Sequence, residues 1–139
     1  MEHEYFGHLR YFEYAKTGAK IWQGEITPWD GSHPIGVTID AGESGPTAAQ
    51  VEFVQSLLRD PKVLAGRCHP MLQECFANWS ESSETYSIDD FRLCGLSVPE
   101  TGSQDGEWDV SYDMLFDPAE HMLTVYFKSG EIEGSSIDG

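Results

Sequence analysis

The sequence predicts an α+β domain in which a largely antiparallel sheet packs against two or three helices from the middle of the chain. Three observations carry this. Apolar and polar residues alternate near both ends, at 35–40 and 108–116. Between them, from 47 to 79, apolar residues recur at three- and four-residue steps. No stretch of the 139 residues has the composition of a linker, so residues 1–139 are expected to form one domain around one core. Strands, then helices, then strands is an α+β order.

The elements follow in chain order. Residues 5–14 are aromatic-rich, with Tyr5, Leu9, Tyr11 and Tyr14, and read as a first strand. Thr17-Gly18 turns into Ala19 to Ile26, where Trp22, Gly24 and Ile26 share one strand face. Pro28, Asp30-Gly31 and Pro34 mark a loop that either exposes or tucks in Trp29. Ile35, Val37 and Ile39 then alternate with Gly36, Thr38 and Asp40 as a half-buried strand. The three segments predict an N-terminal antiparallel meander.

Thr47 with Gln50 is a capping box, followed by Val51, Val54, Leu57 and Leu58 at helical spacing. Asp60-Pro61 starts another helix, and its apolar stripe runs from Val63 to Trp79. Pro70 interrupts that stripe, which predicts a kink or two short helices near Cys68. A strand up to Val98 and a loop from Pro99 to Gly106 come next. Trp108, Val110, Tyr112, Met114 and Phe116 form the clearest two-residue period in the chain. The apolar run 122–127 and Ser129-Gly130 predict a hairpin with Glu131 to Ile137.

Charge is the most unusual global property. The chain carries 24 Asp and Glu against 8 Lys and Arg, a formal charge of −16. Residues 1–67 hold 9 acids and 6 bases, while residues 68–139 hold 15 acids and only Arg92 and Lys128 as bases. Such a surface repels nucleic acid and anionic lipid and attracts basic proteins, or it serves only to keep the chain in solution. No nucleic-acid or membrane partner is expected. An acidic start, no apolar span and three cysteines, Cys68, Cys75 and Cys94, point to reduced thiols in a cytoplasm.

Glycine-rich phosphate loops, nucleophile elbows and dinucleotide fingerprints are missing, so neither a cofactor nor a catalytic set is expected. Asp117, Glu120 and His121 place two carboxylates and an imidazole in one short connection. That set could bind a divalent metal or act in acid–base chemistry; equally, Asp117-Pro118 is ordinary turn chemistry. Cys68, His69 and Cys75 lack the second ligand pair of a zinc site, and Cys68 and Cys75 read as buried thiols on the apolar stripe. Trp29 and Trp79, each with polar neighbours, are candidate binding anchors or plugs on the core. Glu100, Asp105, Glu107, Asp109 and Asp113 are candidates for an anionic binding face.

Several of these features together resemble a loose family of small bacterial domains of unknown function. The residues that carry the resemblance are Trp22-Gln23-Gly24, the Thr47–Gln50 helix start, and Phe116-Asp117-Pro118-Ala119-Glu120-His121. The last is followed by the apolar strand Met122 to Phe127, then Lys128-Ser129-Gly130 and Glu131. Some members look like immunity proteins encoded beside bacterial toxins, which the resemblance implies are acidic, cytoplasmic and act by binding. The leading expectation is therefore a non-enzymatic acidic module that docks a basic protein, such as a toxin. The alternatives are a metal-dependent or hydrolytic enzyme using Asp117, Glu120 and His121, and an acidic mimic of nucleic acid.

Overall fold

The computed structural model describes residues 1–81 and 83–138. The fold is α+β, with both helices packed on a mostly antiparallel sheet. A small hairpin, β1 (Glu2–His3) and β2 (Gly7–His8), comes first. The meander β3 (Arg10–Glu13), β4 (Lys20–Ile26) and β5 (Ile35–Asp40) follows, then the helices α1 (Ala48–Leu58) and α2 (Pro61–Ser80). A 3-10 turn at Ile88–Asp90 leads into β6 (Phe91–Val98), β7 (Glu107–Met114), β8 (Met122–Lys128) and β9 (Glu131–Asp138). Strands β3 to β9 lie side by side in chain order in one seven-stranded sheet. Among the described residues only β5 and β6 pair in parallel, because the helices intervene between them and carry the chain back to the same end.

Both helices pack on the sheet face that carries Trp22, Val37, Leu96, Val110, Leu123 and Phe127. Phe53 of α1 meets Trp108 edge-on at 5.3 Å, and Trp108 stacks on Phe127 at 4.0 Å. From α2, His69 packs edge-on against Phe91, and Leu64, Cys68, Leu72 and Phe76 are buried. The Arg67 guanidinium lies 4.8 Å from the Phe127 ring and donates to the Gly130 carbonyl, tying α2 to the β8–β9 turn. That turn has Ser129 and Gly130 both at positive φ (54° and 80°), as a two-residue hairpin connection requires.

Local chemistry sets the helix starts. The Thr47 hydroxyl accepts from Gln50 N–H and the Gln50 side chain accepts from Thr47 N–H, so the capping box is complete. Gln50 is fully buried, and its amide also donates to the carbonyls of Asp40 (2.8 Å) and Pro99 (3.1 Å). One side chain thus joins the end of β5, the start of α1 and the loop after β6. Asp60 caps α2 ahead of Pro61.

Two local expectations need correction. Residues 5–14 do not form one strand: β2 ends at His8 and β3 begins at Arg10, with Phe6 and Leu9 turned into the core. Gly24 makes this possible, since a Cβ there would lie 2.7 Å from Leu9 Cδ2 and 2.9 Å from the His8 carbonyl oxygen. Pro70 does not divide α2, which runs unbroken through it. Pro70 and Gly66 are both exposed, so the Gly66 carbonyl that loses its helical partner faces solvent rather than the core.

Candidate functional site

Alternation on β7 separates its side chains into two sets. Trp108, Val110, Tyr112 and Met114 enter the core, while Glu107, Asp109, Ser111 and Asp113 project from the face opposite the helices. Strand register extends this second face across the sheet. It carries Arg10, Glu25, Asp40, Arg92, Glu107, Asp109, Asp113, Lys128, Glu131 and Asp138, seven carboxylates against three cations. Among the described residues no helix packs on it. Ser111 and Thr124 hydrogen-bond across its floor at 2.9 Å.

The carboxylates of this face are not equivalent. Glu107 pairs with Lys128 (3.5 Å) and Asp113 with Arg92 (3.1 Å), both in partly exposed geometry. Asp109 makes no ion pair among the described residues. Burial raises its pKa above the usual carboxylate range, opposed by a hydrogen bond from the Ser97 hydroxyl. Beside it Tyr126 stands 40% exposed, its hydroxyl 2.8 Å from that of Ser136. Glu107, Asp109, Tyr126 and Glu133 line one open groove of about 640 Å³.

The five acids singled out in the sequence are only partly brought together. Glu107, Asp109 and Asp113 share the helix-free face. Glu100 and Asp105 lie in the β6–β7 loop, where Glu100 helps hold up the pKa of Asp40 behind the larger effect of burial. Tyr126 and Glu133 were missed. The apolar run 122–127 hides a second period, because Leu123, Val125 and Phe127 enter the core while Met122, Thr124 and Tyr126 face outward.

Asp117, Glu120 and His121 are likewise divided. The Asp117 carboxylate accepts from the N–H groups of Ala119 and His121 (both 3.0 Å) and bonds His121 Nδ1 at 2.6 Å. Burial opposes its ionisation, but these bonds together prevail and the pKa is lowered. The His121 ring packs on Trp79 at 4.5 Å. Glu120 stays exposed, with φ at 56°. Among the described residues no three His, Cys, Asp or Glu side chains converge as ligands for a metal ion. What the arrangement does locally is close the turn between β7 and β8.

Trp29 and Trp79 are both about half exposed (46% and 47%). Trp79 covers His121, whereas Trp29 borders a cavity at the start of α2. Cys68 is buried and Cys94 half-buried, and burial pushes their thiols up to about 11 and about 12. Neither is a thiolate at neutral pH. No helix is long and apolar enough to cross a membrane among the described residues. No protein-family model, no curated protein and no solved structure matches the chain.

Proposed function

We propose that the chain is a non-enzymatic protein-binding module whose helix-free sheet face docks a basic partner. In its specific form this reading makes the chain a bacterial immunity protein and the partner a basic toxin. The observation that supports it is the groove in which Glu107, Asp109 and Glu133 surround the exposed Tyr126 ring. A Lys or Arg side chain laid on that ring gains a cation–π contact. It also gives Asp109 the counter-charge that the carboxylate lacks, in surroundings where an ion pair is less screened than on open surface. The remaining acidic surface speeds encounter without adding contacts.

The test is affinity capture from a lysate of the source organism at low and high salt, followed by titration of the recovered protein. Wild type is compared with a Glu107→Gln, Asp109→Asn, Glu133→Gln triple variant and with Tyr126→Ala. A basic protein bound at low salt should be released at high salt and bind both variants at least tenfold more weakly, about 1.4 kcal/mol. Failure to recover a basic protein, or capture unchanged in the triple variant, would sink the reading.

A further inference from the structure

The two edges of the seven-stranded sheet differ in length. β3 closes one side with four residues, and β9 closes the other with eight. Among the described residues no strand pairs with the outer side of β9, so every second residue there turns its N–H and C=O away from β8. Edge strands are ordinarily guarded by being short or by carrying Lys or Pro. β9, with the sequence Glu-Ile-Glu-Gly-Ser-Ser-Ile-Asp, is long and carries neither. Another usual guard, a bulge, is present at its hairpin end: Tyr126 faces Gly134 and Phe127 faces Ile132, which leaves Glu133 as the extra residue. Beyond it, residues 134–138 pair with 122–126 without interruption.

Charge decides what such an edge admits. The charged residues of β9 are Glu131, Glu133 and Asp138, and none of them makes an ion pair among the described residues. A second copy of the chain laid against β9 would bring these acids near their own kind, and like charges across a strand pair are destabilising. The formal charge of −16 adds to that repulsion. A strand rich in Lys and Arg is attracted on both counts.

The groove around Tyr126 opens onto this edge. Glu133, Gly134 and Ser135 form its β9 wall, beside Tyr126 and Asp109. The Tyr126 hydroxyl lies 2.8 Å from that of Ser136, so the ring leans out of β8 and across β9. Gly134 stands opposite Tyr126, and a Cβ there would have no atom within 4 Å. The missing side chain leaves a lane from the edge to the ring. A strand added to the sheet would sit about 4.8 Å beyond β9, a span that the long side chain of a Lys or Arg covers.

We propose that the basic partner supplies an extended segment that pairs with residues 134–138 of β9 as an eighth strand. Its backbone takes up the free N–H and C=O groups of the edge. A Lys or Arg at an alternate position crosses Gly134 and lies on the Tyr126 ring beside Glu133 and Asp109. This inference rests on the protein-docking reading above and names how the partner is held: backbone pairing gives affinity, and the cation gives selection.

The experiment adds a capped peptide of alternating Arg and Val to the ¹⁵N-labelled full chain, with a Glu–Val peptide in parallel, and follows amide shifts and hydrogen exchange. Gly134→Val and Glu133→Gln are carried alongside wild type. Gly134 lies outside the left-handed region and Val suits a strand, so the first variant should melt no lower than wild type. The Arg peptide should saturate with a Kd below about 1 mM. It should shift Tyr126 and Asp109 and slow exchange at every second amide of residues 134–138 at least tenfold. Gly134→Val should weaken it about tenfold and Glu133→Gln severalfold, and the Glu peptide should not bind. Groove shifts without slowed β9 amides would overturn strand addition and leave the docking face standing, which the capture experiment judges by itself. An Arg peptide that fails to saturate, or a Glu peptide that binds equally, would also overturn the proposal. So would slow exchange of the same amides in the chain alone with a doubled mass in solution, since a second copy would then hold the edge. If Gly134→Val rearranges the fold, the exchange pattern and the Arg–Glu comparison in wild type decide it alone.

Discussion

The two faces of the seven-stranded sheet are built from the same strands and behave oppositely. On the covered face Val110, Leu123 and Val125 are wholly buried beneath the helices. One residue away along the same strands, Asp109, Thr124 and Tyr126 form a floor without a helix on it. The pleat alone makes the separation, since successive side chains point to opposite sides. The covered face stores the stability of the fold. The other is free to carry charge that the core could not hold.

The largest expected effect tests that contrast directly. Leu123→Ala should cost about 2–5 kcal/mol, the usual range for emptying a filled core position. Tyr126→Ala on the opposite face should cost less than about 1 kcal/mol. Urea denaturation of both variants measures the difference, and equal losses would mean that the second face is covered after all.

Gln50→Ala comes next, at about 1–3 kcal/mol, because it leaves the Asp40 and Pro99 carbonyls and the Thr47 N–H without their partner. The same denaturation assay reads it. A loss no larger than at exposed positions of α1 would show that α1 does not depend on this junction.

Two carboxylates sharpen the comparison through pH. Asp117 has a lowered pKa in the fold, so its contribution is present above the unfolded value, near 3.8, and is lost as pH falls through the folded value. Thermal melting from pH 7 down to pH 2 should show a steeper acid limb in wild type than in Asp117→Asn. Asp109 has the opposite sign. Its pKa is raised, so the fold favours its protonated form and stability declines as pH rises from the unfolded value through the folded one. Asp109→Asn should therefore raise the melting temperature at pH 7 by a small margin and lose that advantage in acid. Destabilisation by Asp109→Asn at pH 7 would show that the carboxylate already has a counter-charge in the free protein.

Legibility in the sequence followed the range of the interactions. The Thr47–Gln50 capping box, the Asp60-Pro61 helix start, the alternation from Trp108 to Met114 and the Ser129-Gly130 turn were all readable, and each involves residues within a few positions of one another. The split of 5–14 at Leu9 was not, because it depends on Gly24 in another strand. At the candidate sites the acids of β7 were legible as a charged strand face. Their pairing with Arg92 and Lys128 and the place of Tyr126 among them were not.

By itself the sequence determined the order and kind of the main elements from β4 onward, the α+β class, the excess of acid in the second half and the positions of most turns. Local hydrogen bonds and the two side-chain periods settle these within a few residues. Only the tertiary structure decided that β6 lies parallel to β5 across an intervening pair of helices, and that both helices choose the same face. It alone decided which acids remain without a cation. Those outcomes depend on which distant surfaces exclude water together, and nothing in the local chain carries that information.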